Sequence, residues 1–140
     1  MSPHDAFQLD PRLEADTLYV GEAPLSTIRL LDDSRFPWIV LVPRRPGVVD
    51  LRDLDAQERT VLMEEIVGIS GVLKAMTQCD KLNVGTLGNV VPQLHVHIVA
   101  RFQTDDAWPR PVWGHGKREL YDEAVADALL TRLRAELGVR

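Results

Sequence analysis

Gln93-Leu94-His95-Val96-His97-Ile98-Val99 is the stretch from which the rest of the chain is best read. Polar and apolar residues alternate along it, and in a strand successive side chains point to opposite faces. Leu94, Val96 and Ile98 are therefore expected to face a core, while Gln93, His95 and His97 line the other side. With a rise of about 3.3 Å per residue, neighbours in that row stand about 7 Å apart at Cα, so one bound group could touch all three side chains. The row is imidazole and amide only, without the charges that an ordinary solvated face carries.

The strand itself reads as Leu94 to Arg101; working upstream, Lys81 to Thr86 reads as another, joined to it through Leu87-Gly88-Asn89-Val90-Val91-Pro92. Before it comes a long helix. Asp55 and Glu58 have capping-box spacing, and Leu62, Ile66, Ile69, Leu73 and Met76 recur at steps of four and three, marking one buried face. Gly68 and Gly71 inside that helix each cost about 1 kcal/mol relative to Ala, which close packing on a sheet is expected to explain. Further upstream, Trp38-Ile39-Val40-Leu41-Val42 is a continuous apolar run ended by Pro43 and reads as a buried strand. Asp32-Asp33-Ser34-Arg35 is turn material. Ser26 to Leu31 and Thr17 to Val20 read as short strands separated by Gly21 to Pro24, and residues 1–16 suggest no element. Downstream, a second helix is expected from about Arg118 to Leu137, with Tyr121, Val125, Leu129 and Leu133 on one face and Gly138 as its stop. The pattern predicts an α+β fold: an antiparallel sheet of about five strands, one long central helix and a C-terminal helix.

The chain has 140 residues, which fits a single domain over 1–140 that can bury a core without disulfides. Its hydrophobic share of 45% and charged share of 26% are those of a soluble globular protein. A net charge of −5 argues against a broad nucleic-acid surface. Cys79 is the only cysteine, so neither an internal disulfide nor a Cys-rich zinc site is expected. Met1 to Asp5 lack a basic start followed by an apolar run, and no apolar stretch approaches membrane-spanning length. The expectation is a cytoplasmic protein with no membrane partner. No Gly-rich loop ending in Lys-Ser or Lys-Thr is present, so an ATPase of that type is unsupported.

Three chemistries suit His95 and His97. As a metal site they supply two nitrogen ligands, whereas zinc normally takes three or four protein ligands; the other histidines, His4 and His115, lie in segments without a defined element. As a nucleophilic site, one imidazole attacks phosphorus and the other donates to a phosphate oxygen, which suits a group whose unperturbed pKa of about 6.5 leaves it largely neutral at physiological pH. As a structural pair, they bond to each other or to neighbours. The residues alone leave these readings open.

At these positions the chain resembles the histidine triad (HIT) superfamily of nucleotide hydrolases and transferases. That family's signature is His-φ-His-φ-His-φ-φ, with φ apolar, and here it stands as Gln93-Leu94-His95-Val96-His97-Ile98-Val99. Gly88-Asn89-Val90-Val91-Pro92 sits where the family has a Gly-Gln-Ser/Thr-Val stretch, and Asn83 lies where the family carries a phosphate-proximal Asn. Leu30-Leu31-Asp32-Asp33, before Val42-Pro43-Arg44, is similar to the segment that holds the nucleotide ribose. The likeness runs from about Ser26 to Arg101.

The resemblance implies hydrolysis or transfer of a nucleotidyl group from a dinucleoside polyphosphate or nucleoside phosphoramidate. His95 would be the nucleophile that forms a nucleotidyl-histidine intermediate, and His97 would contact the transferring phosphate. Asn83 and Asn89 would add donors, and Asp32 would hold a ribose hydroxyl. It implies a homodimer and no resident cofactor or metal, although a polyphosphate could arrive with Mg²⁺. A nucleotide-binding protein without activity, or a His-ligated metal protein, are the competing classes. Gln93 departs from the signature: an amide donates and accepts hydrogen bonds but carries no proton at neutral pH, so an orienting role is expected there. Arg44-Arg45 reads as an exposed turn pair. Thr104 to Gly116, with Trp108, Pro109, Pro111, Trp113 and His115, is long for a connection and is expected to pack on the domain surface, with coverage of an active site as the alternative.

Overall fold

The runs that the sequence marks as strands pair into one five-stranded sheet in the computed structural model, which describes residues 6–139. His4 lies outside the described residues. β1 (Thr17–Glu22), β2 (Ser26–Leu31), β3 (Trp38–Pro43), β4 (Lys81–Gly85) and β5 (Val96–Arg101) are ordered β1-β2-β3-β5-β4. Every neighbouring pair is antiparallel. The helix α2 (Ala56–Thr77) carries the chain from β3, inside the sheet, to β4 at its edge, and α3 (Glu123–Leu137) follows β5 after a long connection. This is the α+β architecture that the sequence predicts. No helix among the described residues is long and apolar enough to cross a membrane.

Period-two alternation gives the sheet two buried faces. On one, Leu30, Ile39, Leu41, Val96 and Ile98 pack against Leu62, Ile69 and Leu73 of α2 and Leu130 and Leu133 of α3. On the other, Trp38, Val40 and Val99 join Phe36, Ala107 and Val112, together with Leu13 from a short helix, α1 (Pro11–Asp16). The second face is thus covered by chain that precedes β1 and follows β5, and it holds the histidines. α1 falls in the segment that the sequence left unassigned. Its signal is small: Asp10 accepts from Arg12 N–H as the N-cap, and Pro11 sits at the first helical position.

α2 begins as expected, with Asp55 and Glu58 closing a reciprocal capping box. Its expected face is buried at Leu62, Ile69 and Leu73, with Ile66 and Met76 packed at the margin. The reason expected for Gly68 and Gly71 does not hold within this chain, because a Cβ built at either meets nothing within 4 Å. Glu65, on the same helix, is buried, and its Oε2 accepts the Leu25 N–H at 2.6 Å, which ties α2 to the turn between β1 and β2.

Three boundaries differ from the sequence reading for identifiable reasons. β1 runs on to Glu22 through an irregularity between Tyr19 and Gly21. β5 starts at Val96 rather than Leu94: the Leu94 N–H is taken by the Val48 carbonyl, and the pairing with β3 ends at Leu41 opposite Val96. α3 starts at Glu123 rather than near Arg118, because the preceding segment is pinned to the Asp32–Ser34 turn. The Tyr121 N–H bonds Asp32 Oδ1 at 2.9 Å, and the Glu119 carbonyl accepts from the Ser34 N–H at 2.7 Å. The buried face of α3 is accordingly Ala126, Leu130 and Leu133, with Val125 exposed.

Candidate active site

β5 lies between β3 and β4, and its residues His97, Ile98 and Val99 have a partner on both sides. His97 stands opposite Val40 on β3 and Gly85 on β4, and Val99 opposite Trp38 and Asn83. Cross-strand partners share a face, which sets His97, Val99, Trp38 and Asn83 on one surface. His95 lies just before the strand and is buried like His97, at 6% and 8% exposure. The two rings meet edge to face with centroids 4.9 Å apart.

The polar partners of these rings fix where their protons sit. His95 Nδ1 is 2.7 Å from the Gln93 carbonyl oxygen. A carbonyl only accepts, so Nδ1 carries the hydrogen and the neutral ring keeps its lone pair on Nε2. His97 Nδ1 lies 2.9 Å from the indole nitrogen of Trp38, which donates to it. Burial, helped by the nearby His95, lowers the His97 pKa to about 4. Trp38 and Trp113 both meet the His97 ring edge to face, at 5.6 Å.

The remaining sequence-marked residues divide. The Asn83 carbonyl oxygen accepts from Arg101 Nη1 at 2.8 Å, which leaves its amide NH₂ as the end that a ligand could use. Arg101 is 1% exposed and makes a two-pronged pair with Asp105, at 2.8 and 3.1 Å. Burial opposes charge on Asp105. Arg101 and the backbone N–H groups of Phe102, Trp108 and Ala107 outweigh it and hold the carboxyl well below the usual range. Gln93 spends its amide on the N-terminal segment: its oxygen accepts the Asp10 N–H and its NH₂ donates to the Gln8 carbonyl, both at 2.8 Å. What reaches His95 from Gln93 is the backbone carbonyl. Asn89 is exposed in the loop after β4, and Asp32 holds Tyr121. His115 pairs with Asp106 at 3.0 Å rather than with the two central histidines. Among the described residues no three His, Cys, Asp or Glu side chains converge as a metal-binding group.

Trp38, Arg101 and Asp105 escaped the sequence reading as parts of this surface, and Trp113 entered it only as a member of the loop with active-site coverage as its alternative. Arg101 could have been found, since it continues the alternating row through His95, His97 and Val99. Trp38 and Trp113 reach the histidines through strand pairing and a long loop, which spacing does not reveal. The Thr104–Gly116 segment packs on its own domain, and through Trp113 it does so against His97.

The HIT domain family matches residues 12–104. A histidine triad protein from Bradyrhizobium japonicum superposes with a TM-score of 0.92 at 46% identity, covering 94% of this chain and 98% of its own. A histidine triad protein from Marinobacter aquaeolei gives 0.92 at 38%, covering 95% and 97%. A hypothetical histidine triad nucleotide-binding protein from Sulfolobus tokodaii, 18% identical with a TM-score of 0.66 over 91% and 87% of the two chains, is similar in fold. No curated protein matches the chain.

Proposed function

The chain belongs to the HIT domain family, and on that premise we propose that it transfers or hydrolyses a nucleotidyl group through a covalent intermediate on His95. The observation that carries this reading is the bond from His95 Nδ1 to the Gln93 carbonyl. It leaves Nε2 as the nucleophile and waits to stabilise the positive ring that forms once Nε2 is phosphorylated. In the first step His95 Nε2 attacks the α-phosphorus, and the bond to the leaving group breaks with its electron pair going to that group. In the second, water attacks phosphorus and gives up a proton to solvent, the P–N bond breaks with its electron pair returning to His95, and the nucleotide leaves. Splitting one displacement in two is the usual gain from a covalent intermediate. His97 and the Asn83 amide bind the phosphate oxygens, where preorganised donors have their largest effect. The substrate is a dinucleoside polyphosphate or nucleoside phosphoramidate, bound without a resident metal, and Asn89 and Asp32 contact it at the margins.

The working unit is a homodimer. β4 is an edge strand, and Met63 and Val67 on α2 are exposed together with Val84 and Leu87. An unpaired edge beside an apolar patch invites a second copy.

Turnover assays over adenosine and guanosine dinucleoside polyphosphates and phosphoramidates test the reading. His95→Ala is expected to lose turnover by roughly 10⁴-fold or more while still binding AMP. A His95→Ala protein that turns over like wild type would remove His95 as nucleophile.

A further inference from the structure

The indole of Trp38 does more than pack. It is a diagonal neighbour of His97, since Val40 stands opposite His97 and Trp38 lies two residues away on the same strand face. Its ring is held edge to face by Phe36 at 6.3 Å and Trp113 at 6.1 Å, and the residue is only 6% exposed. From that fixed position Nε1–H points at His97 Nδ1 across 2.9 Å.

We propose that Trp38 is a positioning residue for the phosphate site: its indole N–H locks His97 in the tautomer protonated on Nε2, so that His97 gives a hydrogen bond and does not act as a proton carrier. This rests on reading the His95–His97 pair as a nucleotidyl-transfer site. An indole nitrogen donates and never accepts, so the nitrogen facing it must be bare. A doubly protonated His97 would set two N–H groups against each other inside a buried cluster. The nature of the partner decides the outcome: a carboxylate or carbonyl there would draw the proton to Nδ1 and leave Nε2 as a base. His95, whose Nδ1 faces a carbonyl, has that opposite arrangement. One indole N–H and one backbone oxygen thus give two adjacent imidazoles opposite tautomers, a lone pair toward phosphorus on one and an N–H on the other. Because indole does not titrate in this range, the lock holds across physiological pH. Gln93 adds no proton either, its amide being bound to Gln8 and Asp10.

The test uses the full chain labelled with ¹⁵N-histidine and long-range proton–nitrogen spectra of the resting protein. Wild-type His97 is expected to show a bare Nδ1 and a protonated Nε2 from pH 5.5 to 8. Replacing Trp38 with benzothienylalanine keeps the ring shape and exchanges the N–H for sulfur, and Trp38→Phe removes the donor with part of the packing. In both, His97 should become a mixture of tautomers. With a substrate in hand, kcat should fall roughly 10- to 100-fold with little change in KM, as for a misplaced transition-state donor. A wild-type His97 protonated on Nδ1, or a tautomer unmoved by the benzothienyl side chain, would overturn the proposal. Absence of turnover by the wild type would instead sink the enzymatic reading, and the spectra would still decide the lock.

Discussion

A buried imidazole that accepts an indole N–H at one nitrogen resists protonation, and the protein's acid stability should register this. The His97 pKa falls from 6.5 to about 4 on folding, so between those values the unfolded chain binds the proton and the native one does not. Stability is therefore lost as pH drops through that window and is insensitive to His97 above it. About 2 kcal/mol should disappear between pH 7 and pH 5. Urea melts at the two pH values check this, with His97→Gln expected to lack that part of the slope. In turnover, His97→Ala should cost about 10²–10³ in kcat, the loss expected of one donor to developing phosphate charge, and equal small effects at His95 and His97 would favour a structural pair. Gln93→Ala should lower stability by about 1 kcal/mol, since it removes the bonds to the Asp10 N–H and the Gln8 carbonyl at a site that water can reach. It should leave the ranking of substrates by leaving group unchanged; a shifted ranking would put the amide in contact with substrate. Alternation alone makes the row of His95 and His97 legible. The grip of Gln93 on a segment more than eighty residues earlier in the chain is not legible, because no local pattern encodes it.

At the scale of elements, local chemistry was readable wherever it stayed local. The Asp55–Glu58 box, the Gly138 stop and the apolar run of β3 are each decided by neighbours a few residues away. The start of α3 was not, because Asp32, just past the end of β2, captures the Tyr121 N–H, and 117–122 stay outside the helix. Nor was the burial of Glu65, whose partners are backbone N–H groups in the β1–β2 turn. The glycines of α2 yield a prediction. Since a Cβ at Gly68 meets nothing within 4 Å, Gly68→Ala should gain about 1 kcal/mol of stability from helix propensity. A loss in thermal or urea melts would mean that another copy of the chain packs against that position.

For the whole molecule, the antiparallel sheet and its two covered faces follow from element order and alternation, whereas the assembly does not. Pairing through the β4 edge and the α2 patch predicts a dimer mass by light scattering at micromolar concentration. Val67→Arg, in that patch, should shift it toward monomer. A monomeric wild type would remove the dimer from the account. The proposed catalysis turns on the covalent intermediate, and mass spectrometry of protein quenched in base during turnover tests it most directly. A single nucleotidyl group should appear, map to the peptide bearing His95, and vanish in His95→Ala. Steady turnover with no adduct under rapid quench, or an adduct mapping to another residue, would contradict it.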